Sequence, residues 1–119
     1  MEFKMNVPIY LQVIEDIKNK IINREIQMGE KLPSSRELAL TYEINPNTAA
    51  RVYTEMERMG IAYMKRGVGT FVAEDGELIK KMKEEKLEET IKEFVERISG
   101  LGYSLTEIWE QVEKYEKEE

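Results

Sequence analysis

The chain has 119 residues, 41% hydrophobic and 35% charged, with no cysteine and no histidine. That length holds one domain, or one small domain with an appendage, and excludes a large multidomain enzyme. The missing residue types remove disulfides, thiolate and imidazole metal sites and histidine-based catalysis, and the net charge of −6 argues on its face against a polyanionic partner.

From Pro8 to Arg24 the apolar residues Tyr10, Val13, Ile14, Ile17 and Ile21 fall at helical spacing, with polar residues on the remaining face. Pro8 near the first turn suits a helix start, and Gln27-Met28-Gly29 stops it. Ser34 followed three residues later by Glu37 is a capping box, which predicts a short helix over about Ser35–Tyr42. Asn45-Pro46-Asn47-Thr48 opens a third helix, with Asn45 as N-cap and Pro46 at the first helical position. A connection of about three residues between two helices predicts a helix-turn-helix.

On the third helix Ala49, Val52, Tyr53 and Met56 form the packing stripe, while Asn47, Arg51, Thr54 and Arg58 form a polar one. The runs Ile61–Met64 and Thr70–Ala73, joined by Lys65-Arg66-Gly67-Val68-Gly69, predict a β-hairpin with a basic tip. Beyond a hinge at Glu74–Glu77, Leu87, Ile91, Phe94, Val95 and Ile98 mark a long amphipathic helix with a Glu- and Lys-rich outer face, where Glu88–Lys92 is an expected ion pair. A break at Ser99–Tyr103 and a second capping box, Ser104 with Glu107, precede a final helix with Leu105, Ile108, Trp109 and Val112 on one face.

Counted by segment, residues 1–73 carry ten Lys and Arg against nine Asp and Glu, a balance of +1, and residues 74–119 carry eight against fifteen, a balance of −7. The acidity therefore belongs to the tail, which leaves Lys31, Arg36, Arg51, Arg58, Lys65 and Arg66 available to a phosphate backbone. Helix starts and a hairpin tip that offer donors to one surface suit groove reading with flanking phosphate contacts. Tyr10, Tyr42, Tyr53 and Tyr63 are expected to pack and not to serve as stacking platforms.

These residues resemble the GntR-type winged helix-turn-helix transcriptional regulators, and the short helical tail is similar to that of the YtrA-like subfamily. The resemblance rests on Pro8-Ile9-Tyr10-Leu11-Gln12, on Gly29–Ala39, on Asn45-Pro46-Asn47-Thr48 and on Arg66–Val72, in order over nearly all of residues 8–73. It implies that Arg36 contacts DNA, that Asn47, Thr48 and Arg51 read the major groove, and that Arg66 and Gly67 approach the minor groove. Pro46 and Ala50 stand where arginines are common in the broader family, which implies a different base preference.

The expected fold is mainly α with a small β-hairpin wing: a winged helix-turn-helix over residues 1–75, then a two-helix dimerisation hairpin over residues 76–119. The expected function is a sequence-specific DNA-binding regulator, a repressor that binds a pseudo-palindromic operator as a homodimer. The alternative is a winged-helix protein-interaction module without sequence-specific DNA binding. Ser35, Arg36, Asn45, Asn47, Thr48, Arg51, Lys65, Arg66 and Gly67 form the candidate DNA-binding set. Leu87, Ile91, Phe94, Val95, Ile98, Leu105, Ile108, Trp109 and Val112 form the candidate dimer face. No catalytic residue, metal site or cofactor is expected, and the sequence leaves a small-molecule effector open. The apolar runs are far short of the ~20 residues that cross a bilayer, and Met1–Tyr10 lacks a signal peptide's apolar core, so a cytoplasmic protein without membrane association is expected.

Overall fold

A computed structural model describes residues 1–117. In chain order the elements are α1 (Ile9–Ile22), α2 (Ser35–Tyr42), α3 (Pro46–Arg58), β1 (Ala62–Lys65), β2 (Gly69–Val72), α4 (Gly76–Ser99) and α5 (Leu105–Lys117). The fold is thus mainly helical with one two-stranded wing, as the sequence predicts. Two compact units divide the chain, Met1–Lys83 and the segment from Glu84 onward.

The first unit has one core. Val13, Ile14, Ile17 and Ile21 of α1 meet Leu38, Ala39 and Tyr42 of α2, Ala49, Val52, Tyr53 and Met56 of α3, and Leu32, Ile61, Ala62 and Val72 around the wing. The N-terminal segment is clasped onto α1 by Gln12, whose side chain accepts from the Lys4 N–H at 2.8 Å and donates to the Lys4 and Val7 carbonyls at 2.9 and 2.8 Å.

The strands pair antiparallel with Ala62 opposite Val72 and Lys65 opposite Gly69. Each strand lies about one residue nearer the turn than the sequence suggests, because Gly69 still pairs with Lys65 while Ile61 and Ala73 are joined only by an N–H to carbonyl bond of 2.8 Å beyond the ladder. The outer edge of β2 is covered by residues 29–32: the Gly29 and Leu32 N–H groups donate to the Val72 and Thr70 carbonyls at 2.9 and 2.8 Å, and Lys31 bridges to Phe71. A two-stranded ribbon is marginal alone, so this added segment and the core beneath it hold the wing.

Helix α4 begins at Gly76, well before the apolar stripe that announced it, with Asp75 Oδ1 accepting from the Glu77 and Leu78 N–H groups at 3.1 and 3.2 Å. Its first turns belong to the winged core: Met82 is buried, and Leu78 and Ile79 pack against the same cluster. The expected boundary after residue 75 therefore gives way to a division after Lys83. The second unit has the opposite character. No side chain beyond Met82 is buried among the described residues, and Leu87, Ile91, Phe94, Val95, Leu105 and Trp109 are all exposed. Ile98, Ile108 and Val112 are half-buried, and with Phe94, Leu101 and Tyr103 they line an open cleft of about 590 Å³. The Glu88–Lys92 ion pair does not form; the ion pairs among the described residues are Glu15–Lys18, Asp16–Lys20 and Glu55–Arg58.

Candidate nucleic-acid interface

The turn between α2 and α3 is built from local chemistry. Ser34 Oγ accepts from the Glu37 N–H at 3.1 Å while the Glu37 carboxylate accepts from the Ser34 N–H at 3.2 Å, so each side chain satisfies the other residue's orphan backbone donor at the start of α2. The Ser34 N–H, its hydroxyl and the nearby charge of Lys31 hold the Glu37 carboxyl below the usual carboxylate range. At its other end α2 closes in a Schellman arrangement: Glu43 takes a left-handed conformation with φ +56°, and the Ile44 N–H donates to the Ala39 carbonyl at 3.0 Å. Asn45 Oδ1 then accepts from the Asn47 N–H at 2.8 Å, and Pro46 opens α3. Residues 43–45 are the whole turn.

Two tyrosines tie this pair of helices to their surroundings. The Tyr42 hydroxyl donates to Asp16 Oδ2 on α1 at 2.6 Å, and the Tyr53 hydroxyl donates to the Pro33 carbonyl just ahead of the capping box. Burial pushes both hydroxyls well above the ordinary tyrosine pKa; for Tyr42 the bond to the Asp16 carboxylate adds to it. α3 is thereby fixed on its inner face, with Ala49, Val52, Tyr53 and Met56 buried, while Asn47 and Arg51 are exposed and Thr48 is half-buried.

The candidate residues divide by what already holds them. The Asn45 side-chain oxygen is engaged as the α3 cap, which sets it apart from Asn47 and Thr48. Ser35 is half-buried at the first position of α2, and Arg36 beside it is exposed. Arg36, Arg51, Lys65 and Arg66 enter no ion pair among the described residues, whereas Arg58 is paired with Glu55 at 2.8 Å. Arg58 is thus the one α3 cation already neutralised by its own helix. Arg51 is held differently: its guanidinium carbon lies 3.9 Å from the centre of the Tyr10 ring on α1.

In the wing, Tyr63 and Phe71 stack with ring centres 5.6 Å apart, and Lys65 Nζ lies 4.9 Å from the Phe71 ring centre. Gly67 turns the tip with φ +77°, and Gly69 takes φ +146°, where a side chain would be strained. The Lys31 stem passes so close to Gly69 that an added Cβ would lie 2.8 Å from its Cε. The fold therefore gathers Lys31 and Lys65 around Phe71, one bridged to its backbone and the other over its ring. Lys31 is among the cations that the sequence offers to a phosphate backbone, but Gly29-Glu30-Lys31-Leu32 has no strand pattern, so its pairing with β2 is visible only once the wing is formed. The tyrosines pack as expected: Tyr42 and Tyr53 are in the core, Tyr10 lies against it and beneath Arg51, and Tyr63 stacks on Phe71.

No helix among the described residues is long and apolar enough to cross a membrane, and no group of three or more acidic side chains is placed to hold a metal ion. The family described as "Bacterial regulatory proteins, gntR family" matches residues 9–72. The HTH-type transcriptional regulator YhcF of Bacillus subtilis (strain 168) is 39% identical over 114 residues, covering 96% of this chain and 94% of its own. The HTH-type transcriptional repressor YtrA of the same organism is 42% identical over 72 residues, covering 60% of this chain and 55% of its own. Among solved structures, a GntR family transcriptional regulator from Listeria monocytogenes superposes with a TM-score of 0.83 at 34% identity, covering 94% of this chain and 98% of that one. The DNA-binding domain of AraR in complex with operator ORX1 superposes with a TM-score of 0.56 at 28% identity, over 60% of this chain and 93% of that one. The capped helix-turn-helix, the Gly-turned wing and these matches together make the chain a member of the GntR family of bacterial transcriptional regulators, with a DNA-binding winged helix-turn-helix and no enzymatic role.

Proposed function

We propose that the protein is a homodimeric repressor that binds a pseudo-palindromic DNA operator. One observation carries the DNA-facing part: α3 is buried along one stripe and exposes Asn47 and Arg51 on the other, immediately behind a three-residue turn. In this reading Asn47, Thr48 and Arg51 contact base edges in the major groove, and Ser35 and Arg36 contact phosphate from the start of α2. Lys65, Arg66 and Gly67 bring the wing tip to the flanking minor groove, and Lys31 joins them as a phosphate ligand. Asn45 acts through the α3 cap.

The homodimer is supported by the second unit, where an apolar stripe of nine residues from Leu87 to Val112 has six exposed and three half-buried members. A largely exposed apolar stripe on two helices marks an association surface, and a second copy of the same chain is the simplest partner. The repressor assignment leans on YtrA, which is named as one.

The test is selection of DNA from a randomised duplex pool by the full-length protein, followed by titration of the selected duplex at several salt concentrations. Enrichment of an inverted repeat, with affinity falling steeply as salt rises, is the expected result. A pool that stays random after repeated rounds contradicts sequence-specific recognition.

A further inference from the structure

We infer that Tyr10, at the start of α1 and outside the helix-turn-helix, is a positioning residue for DNA recognition: its ring carries the Arg51 guanidinium in a fixed, pre-oriented pose. The inference rests on the proposed role of Arg51 as a groove-reading side chain. A long arginine on an exposed helix face samples many rotamers, and ordering it on binding opposes association. Here the guanidinium carbon sits 3.9 Å from the ring centre, closer than the lysine contacts to Tyr42, Tyr63 or Phe71, which range from 4.9 to 5.9 Å.

Stacking and donation use different parts of the group. With its carbon over the ring, a guanidinium stacked face-on keeps its in-plane N–H donors free for a bidentate pair with a base or phosphate. No side-chain hydrogen bond or ion pair competes for Arg51 among the described residues. The platform is itself rigid: Tyr10 is half-buried against the core, and the segment before it is clasped by Gln12. The remaining α3 cation, Arg58, is turned onto Glu55, which leaves Arg51 as the arginine of this helix outside any ion pair among the described residues.

The experiment uses the full-length protein and two probes, a duplex selected from a randomised pool and an unselected random duplex. Tyr10→Leu removes the aromatic face, Tyr10→Phe keeps it without the hydroxyl, and Arg51→Lys keeps the charge without the planar group. The expected result is that Tyr10→Leu and Arg51→Lys each weaken binding to the selected duplex about three- to tenfold with little change for the random one, and that Tyr10→Phe binds as the parent does. On an Arg51→Ala background, Tyr10→Leu is expected to add nothing. Equal loss in Tyr10→Phe, or full additivity with Arg51→Ala, would overturn the positioning role. If Arg51→Ala weakens binding while Tyr10→Leu leaves it unchanged, the Tyr10 inference falls and the reading of Arg51 stands. If Arg51→Ala leaves binding unchanged, both fall.

Discussion

Two hydroxyls, those of Tyr42 and Tyr53, connect the recognition helices to the rest of the winged unit, and each is half withdrawn from solvent with one acceptor to satisfy it. Removing either oxygen by Tyr42→Phe or Tyr53→Phe should lower stability by about 1 kcal/mol, read from chemical denaturation. Tyr42→Phe should be the milder change, because Asp16 keeps Lys20 as a partner at 3.5 Å. The same tyrosines set an alkaline limit. Their folded pKa is raised, so the stability they confer is complete below the unfolded value of about 10 and is lost as pH climbs above it. The capping carboxylates Glu37 and Glu107 act in the opposite sense. Hydrogen bonds from the Ser34 and Ser104 N–H and hydroxyl groups lower them, so their contribution is present above the ordinary glutamate pKa of about 4.3 and fades as pH falls below it. Thermal unfolding across pH should therefore decline at both extremes, and in Tyr42→Phe combined with Tyr53→Phe the alkaline decline should be reduced. At the proposed interface, Arg51→Ala should relax base discrimination by about 1–3 kcal/mol for each lost contact, measured by competing the selected duplex with single-base variants. Equal weakening on every sequence would make Arg51 a phosphate ligand.

The helices were legible because their signals are local. Ser34 with Glu37, Asn45 before Pro46, and Ser104 with Glu107 cap as their spacing demands. What escaped the sequence depends on pairs far apart in it. Lys31 meets β2 across some forty residues, and Tyr10 meets Arg51 across about as many. Neither contact has a periodicity to announce it. Helix α4 hid its start for a related reason: Leu78, Ile79 and Met82 make a stripe too brief to stand out, and their place is set by the core they complete. The wing offers an element-scale check. Gly69→Ala forces a side chain onto φ +146° and displaces the Lys31 stem, so it should cost about 1–3 kcal/mol in thermal or chemical unfolding and weaken DNA binding along with it. An Ala variant with parental stability would show that the strand end relaxes freely.

For the molecule as a whole, the charge separation gives the two segments different tasks. The acidic tail would repel a phosphate backbone, and the near-neutral winged unit exposes the cations that would meet one. The second unit leaves its apolar stripe in water, a state that association with a second copy would end. Replacing Ile91 or Phe94 by Asp places a charge in that proposed interface. Sedimentation should then report a monomer with an intact winged unit and much weaker operator binding; a dimer of unchanged strength would assign the stripe to another partner. The most direct test of the central claim is the stoichiometry and footprint of the full-length protein on the duplex it selects. Two chains per duplex are expected, protecting an inverted pair of half-sites centred about one helical turn, or roughly 10 base pairs, apart. One chain bound to a single unrepeated site would contradict it.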